Sequence, residues 1–230
     1  MYLNKVSENI WYIDGEPVKM FTIPFQTRMT IVRLDSGKLW LHSPVTPSEK
    51  TYNLVNEIGE VSYLVAPNTL HHLALESWMQ VYPEAKLFGV ERLPEKRTDL
   101  KFSGILADSP EPEWSGEIDQ LYFRGSNILL EVAFFHKRSK TLILTDLIQN
   151  HDPRKEKLFW RLIKRINGVL SPHGGVPKDL RLTIRNKEKA RTSLKGILSW
   201  DFERLIISHG LCIEDDAKQY VTSSFSWLKA

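Results

Sequence analysis

Seven histidines and one aspartate carry most of the chemistry available to this sequence. The histidines are His42, His71, His72, His136, His151, His173 and His209. Four of them, His42, His71, His72 and His209, fall at or just past the end of a stretch that reads as a buried strand, and Asp146 is placed the same way. In α/β sheets, ligands gather outside the carboxyl ends of the strands, so residues distant in sequence can converge on one rim. Imidazoles combined with a carboxylate are a ligand set for zinc, iron or manganese. An ion so held lowers the pKa of water and makes hydroxide available near neutral pH. Each residue also has a plainer reading. His71 and His72 could cap a helix start, His209 beside Gly210 could be a turn residue, and Asp146 could cap the turn that follows its strand. His136 falls at a charged hairpin tip and is expected to be exposed. His151 and His173 lie in polar loops and read as structural.

Other catalytic signatures are missing. The sequence contains no G-x-S-x-G elbow, no P-loop and no G-x-G-x-x-G turn. Its one cysteine, Cys212, lies close to His209 in sequence but reads as an ordinary buried thiol. One cysteine also excludes an internal disulfide and any cysteine-rich metal site.

The elements that must position these residues follow from periodicity and turn chemistry. Residues 9–15 read as a strand closed by Asp14-Gly15. Residues 18–34 are β-rich, with Phe21, Ile23, Phe25, Met29, Ile31 and Val32, and residues 38–42 form a buried strand after the Asp35-Ser36-Gly37 turn. Thr46-Pro47-Ser48-Glu49 predicts a helix start capped by Thr46, with Tyr52, Leu54, Val55 and Ile58 as its apolar face and Gly59 as its stop. Residues 61–66, a helix over about 70–81 and residues 86–90 make a strand–helix–strand unit, which favours parallel pairing. Residues 91–116 are polar and read as a loop. Residues 119–123, 128–135 and 140–144 read as strands, the last ending just before Asp146. A helix is expected over 155–170, with Leu158, Phe159, Leu162, Ile163 and Ile166 on one face. A helix over 191–198, a buried strand over 204–208 and a closing helix over 215–228 complete the chain.

Together these pieces resemble a known family. Val61-Ser62-Tyr63-Leu64-Val65-Ala66-Pro67-Asn68-Thr69-Leu70-His71-His72 is similar to the strand and metal loop of the metallo-β-lactamase superfamily. Thr141-Leu142-Ile143-Leu144-Thr145-Asp146 resembles that family's strand ending in a bridging aspartate. Leu205-Ile206-Ile207-Ser208-His209-Gly210 resembles its last strand, which ends in a metal-binding His-Gly. Leu39-Trp40-Leu41-His42-Ser43 sits where the family has a strand ending in an Asp-Thr-Gly turn. The Pro-Asn-x-Leu-His-His phrase further resembles a divergent branch, the DUF4336 proteins. The resemblance implies an α/β fold, a four-layer αββα sandwich of two mixed β-sheets with outer helices, formed as a single domain over residues 1–230. Against the family's His-x-His-x-Asp-His motif, Pro67 and Thr69 occupy the first two ligand positions and His71 the aspartate position. Ser126 replaces the histidine of a later Gly-His. One half of the family's metal motif is therefore absent. The other half implies four ligands, His71, His72, Asp146 and His209, for a single zinc, iron or manganese ion, with His42 and Asn68 standing behind them. Substituting His71 for aspartate makes that site less negative by one charge.

The sequence has 230 residues, 42% hydrophobic and 26% charged, with a net charge of +3, an ordinary soluble-protein composition. No secretory signal and no apolar run long enough to span a bilayer is visible, so a cytoplasmic protein with no membrane partner is expected. Residues 154–165 and 178–195 are locally basic, which reads chiefly as solvated surface. No alternation of aromatic and basic residues suggests nucleic-acid binding. Two functions are expected to compete. One is a single-metal hydrolase acting on a small-molecule ester, thioester or related bond. The other is a non-catalytic, metal-free member of the fold whose old cleft binds a small anionic ligand or a protein partner.

Overall fold

The computed structural model describes residues 2–20 and 23–228. Phe21, expected within a strand, lies outside the described residues. The chain opens as an antiparallel meander, β1 (Leu3–Ser7), β2 (Ile10–Met20), β3 (Ile23–Arg33) and β4 (Lys38–His42). Parallel strands β5 (Glu60–Ala66), β6 (Lys86–Gly89) and β7 (Gly104–Ile105) then extend the sheet in the order β1 to β7. The second sheet consists of β8 (Ile118–Phe123), β9 (Glu131–His136), β10 (Thr141–Leu144) and β11 (Arg204–Ile207), in the order β11-β10-β9-β8. Its β8–β9 and β9–β10 pairs are antiparallel and its β10–β11 pair is parallel, so both sheets are mixed.

The apolar pattern explains the layering. On β9, Val132 and Phe134 face one core, while Ala133 and Phe135 face another, because successive side chains alternate across a strand. The inner core lies between the sheets. There Trp40, Trp114 and Phe134 make edge-to-face contacts, with the Trp40 and Phe134 centroids 5.0 Å apart. Truncating a ring of this kind to alanine costs about 3–5 kcal/mol. Helices α1 (Glu49–Asn56) and α2 (Leu75–Val81) add Val55, Leu75 and Trp78 to this cluster. A short α3 (Leu93–Lys96) follows β6. On the far side of the second sheet, α6 (Lys187–Ser199) and α7 (Ala217–Ser224) supply Ala190, Ile197, Ala217 and Val221 to the outer core. The result is the helix–sheet–sheet–helix arrangement that the resemblance implied. Among the described residues, no helix is long and apolar enough to cross a membrane.

Four local expectations are corrected. Helix α1 is capped by Ser48 rather than Thr46: the Ser48 hydroxyl accepts from the Thr51 amide, and Thr51 returns a bond to the Ser48 amide. The helix expected over 70–81 begins only at Leu75, because residues 70–74 form a tight turn held by Asn68. His136 is 1% exposed rather than at an exposed tip, since it ends β9 and its Nδ1 bonds the Ser139 hydroxyl. Finally, the apolar face of α4 (Leu158–Asn167) is turned to solvent, and Lys164 is the helix's buried residue. Lys164 Nζ is drawn inward by the Glu156 carboxylate, the Pro24 carbonyl and His151 Nδ1. The remaining helix, α5 (Lys178–Thr183), was not anticipated.

Candidate metal centre

The carboxyl ends of β4, β5, β10 and β11 open on one rim, and three of the expected ligands meet there. His71, Asp146 and His209 bring their ligating atoms within 4.8 Å of one another. His71 Nε2 lies 3.2 Å from Asp146 Oδ2, and His209 Nε2 lies 3.0 Å from Asp146 Oδ1. Each follows a buried apolar strand: His71 lies in the turn after β5, Asp146 just past β10 and His209 just past β11.

Each ligand is held from behind. The Gln26 carbonyl lies 2.6 Å from His209 Nδ1. A carbonyl only accepts, so Nδ1 carries the proton and donates. Ser43 Oγ lies 2.6 Å from His71 Nδ1 and fixes that ring in turn. Asn68 is fully buried and organises the centre. Its Nδ2 donates to Asp146 Oδ2 at 2.7 Å and to Thr145 Oγ1 at 2.9 Å, with Glu131 Oε2 at 3.3 Å. Its Oδ1 accepts from the amides of Leu70 and His71, which shapes the turn that aims His71. Glu131, also fully buried, accepts from the amides of Thr145 and Asp146 and so fixes the loop carrying Asp146.

Charge placement explains the ionisation of these groups. Burial alone would raise the Asp146 pKa, but the His71 charge and the bonds from His209 and His71 outweigh it and hold the carboxyl well below its usual range. Burial would lower the His71 pKa, yet the neighbouring Asp146 carboxylate raises it overall. Burial and the Asp146 charge push Glu131 up, against the opposing pull of the amides it accepts from.

The donor set fits a divalent cation. Two imidazoles and a carboxylate, with ligating atoms within 4.8 Å of one another, are a set that zinc, iron or manganese accepts. His209 adds a sharper observation. With Nδ1 protonated, its Nε2 lone pair faces an ionised carboxylate unless a second proton or a cation lies between them. Two imidazoles and a carboxylate leave a coordination position free, as in catalytic rather than structural zinc sites.

His72 does not join this group. It follows His71 in a tight turn, so its ring leaves in another direction and its Nδ1 meets Arg97 at 3.2 Å. Burial, then the charges of Lys96 and Arg97, lower its pKa to about 4. His42 is buried behind the site and stacked on Trp40, and neither ring nitrogen has a partner among the described residues. Asn68 occupies the supporting position expected of it, with a larger role than expected. Ser126 instead caps its own turn by accepting from the amides of Ile128 and Leu129. The sequence reading missed Glu131, Ser43 and the Gln26 carbonyl. Glu131 left one signal: a carboxylate set in the apolar run Leu129-Leu130-Glu131-Val132-Ala133-Phe134.

All three converging residues line one cleft of about 240 Å³. Its walls include Val18, Phe25, Val45 and Leu73, and Lys19 and Lys96 bring positive charge to its edge. Phe25 meets the His209 ring edge-on at 5.4 Å.

The sequence profile of a family described as a domain of unknown function, DUF4336, matches residues 7–161. The chain belongs to the DUF4336 family. Solved structures show that this chain shares the metallo-β-lactamase fold. A metallo-β-lactamase from Hirschia baltica superposes with a TM-score of 0.67 at 11% identity, covering 99% of this chain and 96% of that one. The metallo-β-lactamase from Pontibacter korlensis gives 0.65 at 12% identity, covering 98% of each chain. The DIM-1 metallo-β-lactamase exposed to ceftazidime gives 0.66 at 15% identity, covering 98% of this chain and 96% of that one. No functionally curated protein matches the chain. The DUF4336 chain thus has the metallo-β-lactamase fold, with His71, Asp146 and His209 as its candidate metal cluster.

Proposed function

We propose that this chain is a single-metal hydrolase acting on a small anionic molecule with an apolar portion, at an ester, thioester or related bond. The observation that carries the reading is His209: with Nδ1 committed to the Gln26 carbonyl, its Nε2, 3.0 Å from Asp146 Oδ1, is the nitrogen left to take a cation in place of a second proton. His71, Asp146 and His209 would hold one zinc, iron or manganese ion. A divalent cation there supplies Lewis-acid polarisation and water activated near neutral pH. The chain's own residues prepare the rest. Asn68 and Glu131 keep Asp146 in place, and Ser43 and Gln26 keep the two rings aimed at it. Phe25, Val45 and Leu73 give the cleft an apolar wall, and Lys19 and Lys96 attract an anionic group to its edge.

Elemental analysis and uptake of zinc, iron(II) or manganese test the reading. Stoichiometric binding in the wild type should be lost in Asp146→Asn and His209→Ala, and a chelator should abolish hydrolysis of short ester and thioester substrates. Absence of uptake of all three metals would overturn it.

A second reading is a non-catalytic protein that binds the same kind of ligand without metal. It is favoured by Pro67, Thr69 and Ser126 standing where the family carries imidazoles, and by the His71–Asp146–His209 chain closing on itself through protons. Under this reading, ligand affinity would be unchanged by chelator or added metal.

A further inference from the structure

Helix α4 carries an apolar face that is largely exposed among the described residues. Leu158 is 82% exposed, Phe159 64%, Leu162 58% and Ile166 63%. At 100° per residue these four span an arc of about 100°, directly across the helix from buried Lys164. Such a contiguous face is costly in water and marks an interaction surface. Arg161 and Arg165 follow one edge of the arc, and Lys155 and Lys157 precede the helix. All four are exposed, and none enters an ion pair among the described residues. The nearby acids are already engaged, Glu156 with Lys164 and Asp152 with Arg154. Beside the face, Arg161, Arg165 and His173 line a cavity of about 410 Å³, a concave basic surface suited to an anionic oxygen group.

We propose that α4 docks this protein onto an anionic lipid bilayer, its Leu158–Leu162–Ile166 face inserted at the interface and Arg161 and Arg165 against lipid phosphates. A helix with Leu, Ile and Phe on one side and arginines along the edge suits the boundary between headgroups and acyl chains. Charge decides against a second copy as occupant. A two-fold dimer through this face would bring the same unpaired cations together, whereas an anionic surface neutralises them. The face is also rigidly presented, since Lys164 ties the helix to the Pro24 carbonyl next to Phe25 of the cleft wall. The sequence reading expected no membrane partner because no segment spans a bilayer. A helix lying on the surface needs no such segment.

Vesicle flotation tests this. The full chain should float with phosphatidylcholine vesicles containing phosphatidylglycerol, and not with phosphatidylcholine alone, and added salt should release it. The variant R161Q/R165Q, which keeps the apolar face, should bind about 25- to 30-fold more weakly, at about five-fold per cation. Leu162→Glu should abolish binding while metal uptake and melting temperature stay at wild-type values. Failure of the wild type to float with anionic vesicles would overturn the proposal, as would undiminished binding by Leu162→Glu. A wild-type dimer that Leu162→Glu disperses, with no vesicle binding by either, would assign the face to a second copy.

Discussion

Asn68 offers the strongest test of how the centre is built. Its Oδ1 holds the amides of Leu70 and His71, and its Nδ2 faces Asp146, Thr145 and Glu131, all from a fully buried position. Asn68→Ala removes both functions and leaves two amides and two carboxylates short of a partner. Each buried group left unsatisfied costs about 1–3 kcal/mol, and partial entry of water offsets some of the sum, so the variant should lose about 3–5 kcal/mol. For a chain of this size that lowers the melting temperature by about 6–20 °C. Metal affinity should fall about 10- to 100-fold, because the group that orients a ligand is gone. Asn68→Asp separates the two roles. It keeps the acceptor for the turn amides but sets a third carboxyl against Asp146 and Glu131. Burial and those two neighbours would raise its folded pKa above the unfolded value of about 3.9. The folded state then binds more protons than the unfolded state between the two pKa values, so stability falls as pH rises through that window. The deficit of Asn68→Asp relative to wild type should therefore be larger at pH 7 than at pH 4. Denaturant unfolding at the two pH values, with metal titration alongside, measures this. Wild-type stability for Asn68→Asp at pH 7 would refute the donor role and reduce Asn68 to a turn cap.

Three further outcomes are expected. His72→Ala should retain stoichiometric metal uptake while His209→Ala loses it; equal loss in both would show that His72 is a ligand. His42→Phe removes a buried ring whose pKa is lowered to about 3, by burial and then by the His71 charge. An unfolded histidine binds a proton near pH 6.5 while this folded one does not, so wild-type stability from His42 is present above pH 6.5 and is lost as pH falls toward 3. Between pH 7 and pH 5, unfolding measurements should shift in favour of His42→Phe by about 2 kcal/mol relative to wild type, and a constant difference would contradict this. Gly210→Ala should cost about 2 kcal/mol or more, because φ is +112° and a Cβ there would lie 2.0 Å from the Asn150 carbonyl oxygen. Thermal melting at wild-type temperature would show that this turn relaxes freely.

Much of this architecture is legible in one dimension. The runs ending at His42, Ala66, Leu144 and Ile207 are apolar enough to be buried strands, and parallel strands open their carboxyl ends on a common rim. That logic marks His42, His71, His72, Asp146 and His209 alike. The missing half of the motif is legible only through the resemblance to the metallo-β-lactamase superfamily, against which Pro67, Thr69 and Ser126 stand where imidazoles are expected. Direction within a turn is not legible. His71 and His72 are chemically identical neighbours, and only the Asn68-held turn sends one ring to Asp146 and the other to Arg97. Glu131 shows in sequence only as a carboxylate within an apolar run, and its role is not legible there, since its partners are the Thr145 and Asp146 amides just past the end of β10.

Helix α4 divides the two sources of information most clearly. Periodicity alone determines that Leu158, Phe159, Leu162 and Ile166 share a face. Tertiary structure decides that this face looks outward, with Lys164 on the opposite side meeting a carboxylate, a carbonyl and an imidazole inside the fold. Hydrophobic pattern is a property of neighbours along the chain and survives in the sequence. Polar satisfaction depends on partners distant in the chain, and it exists only once the sheets have brought them together.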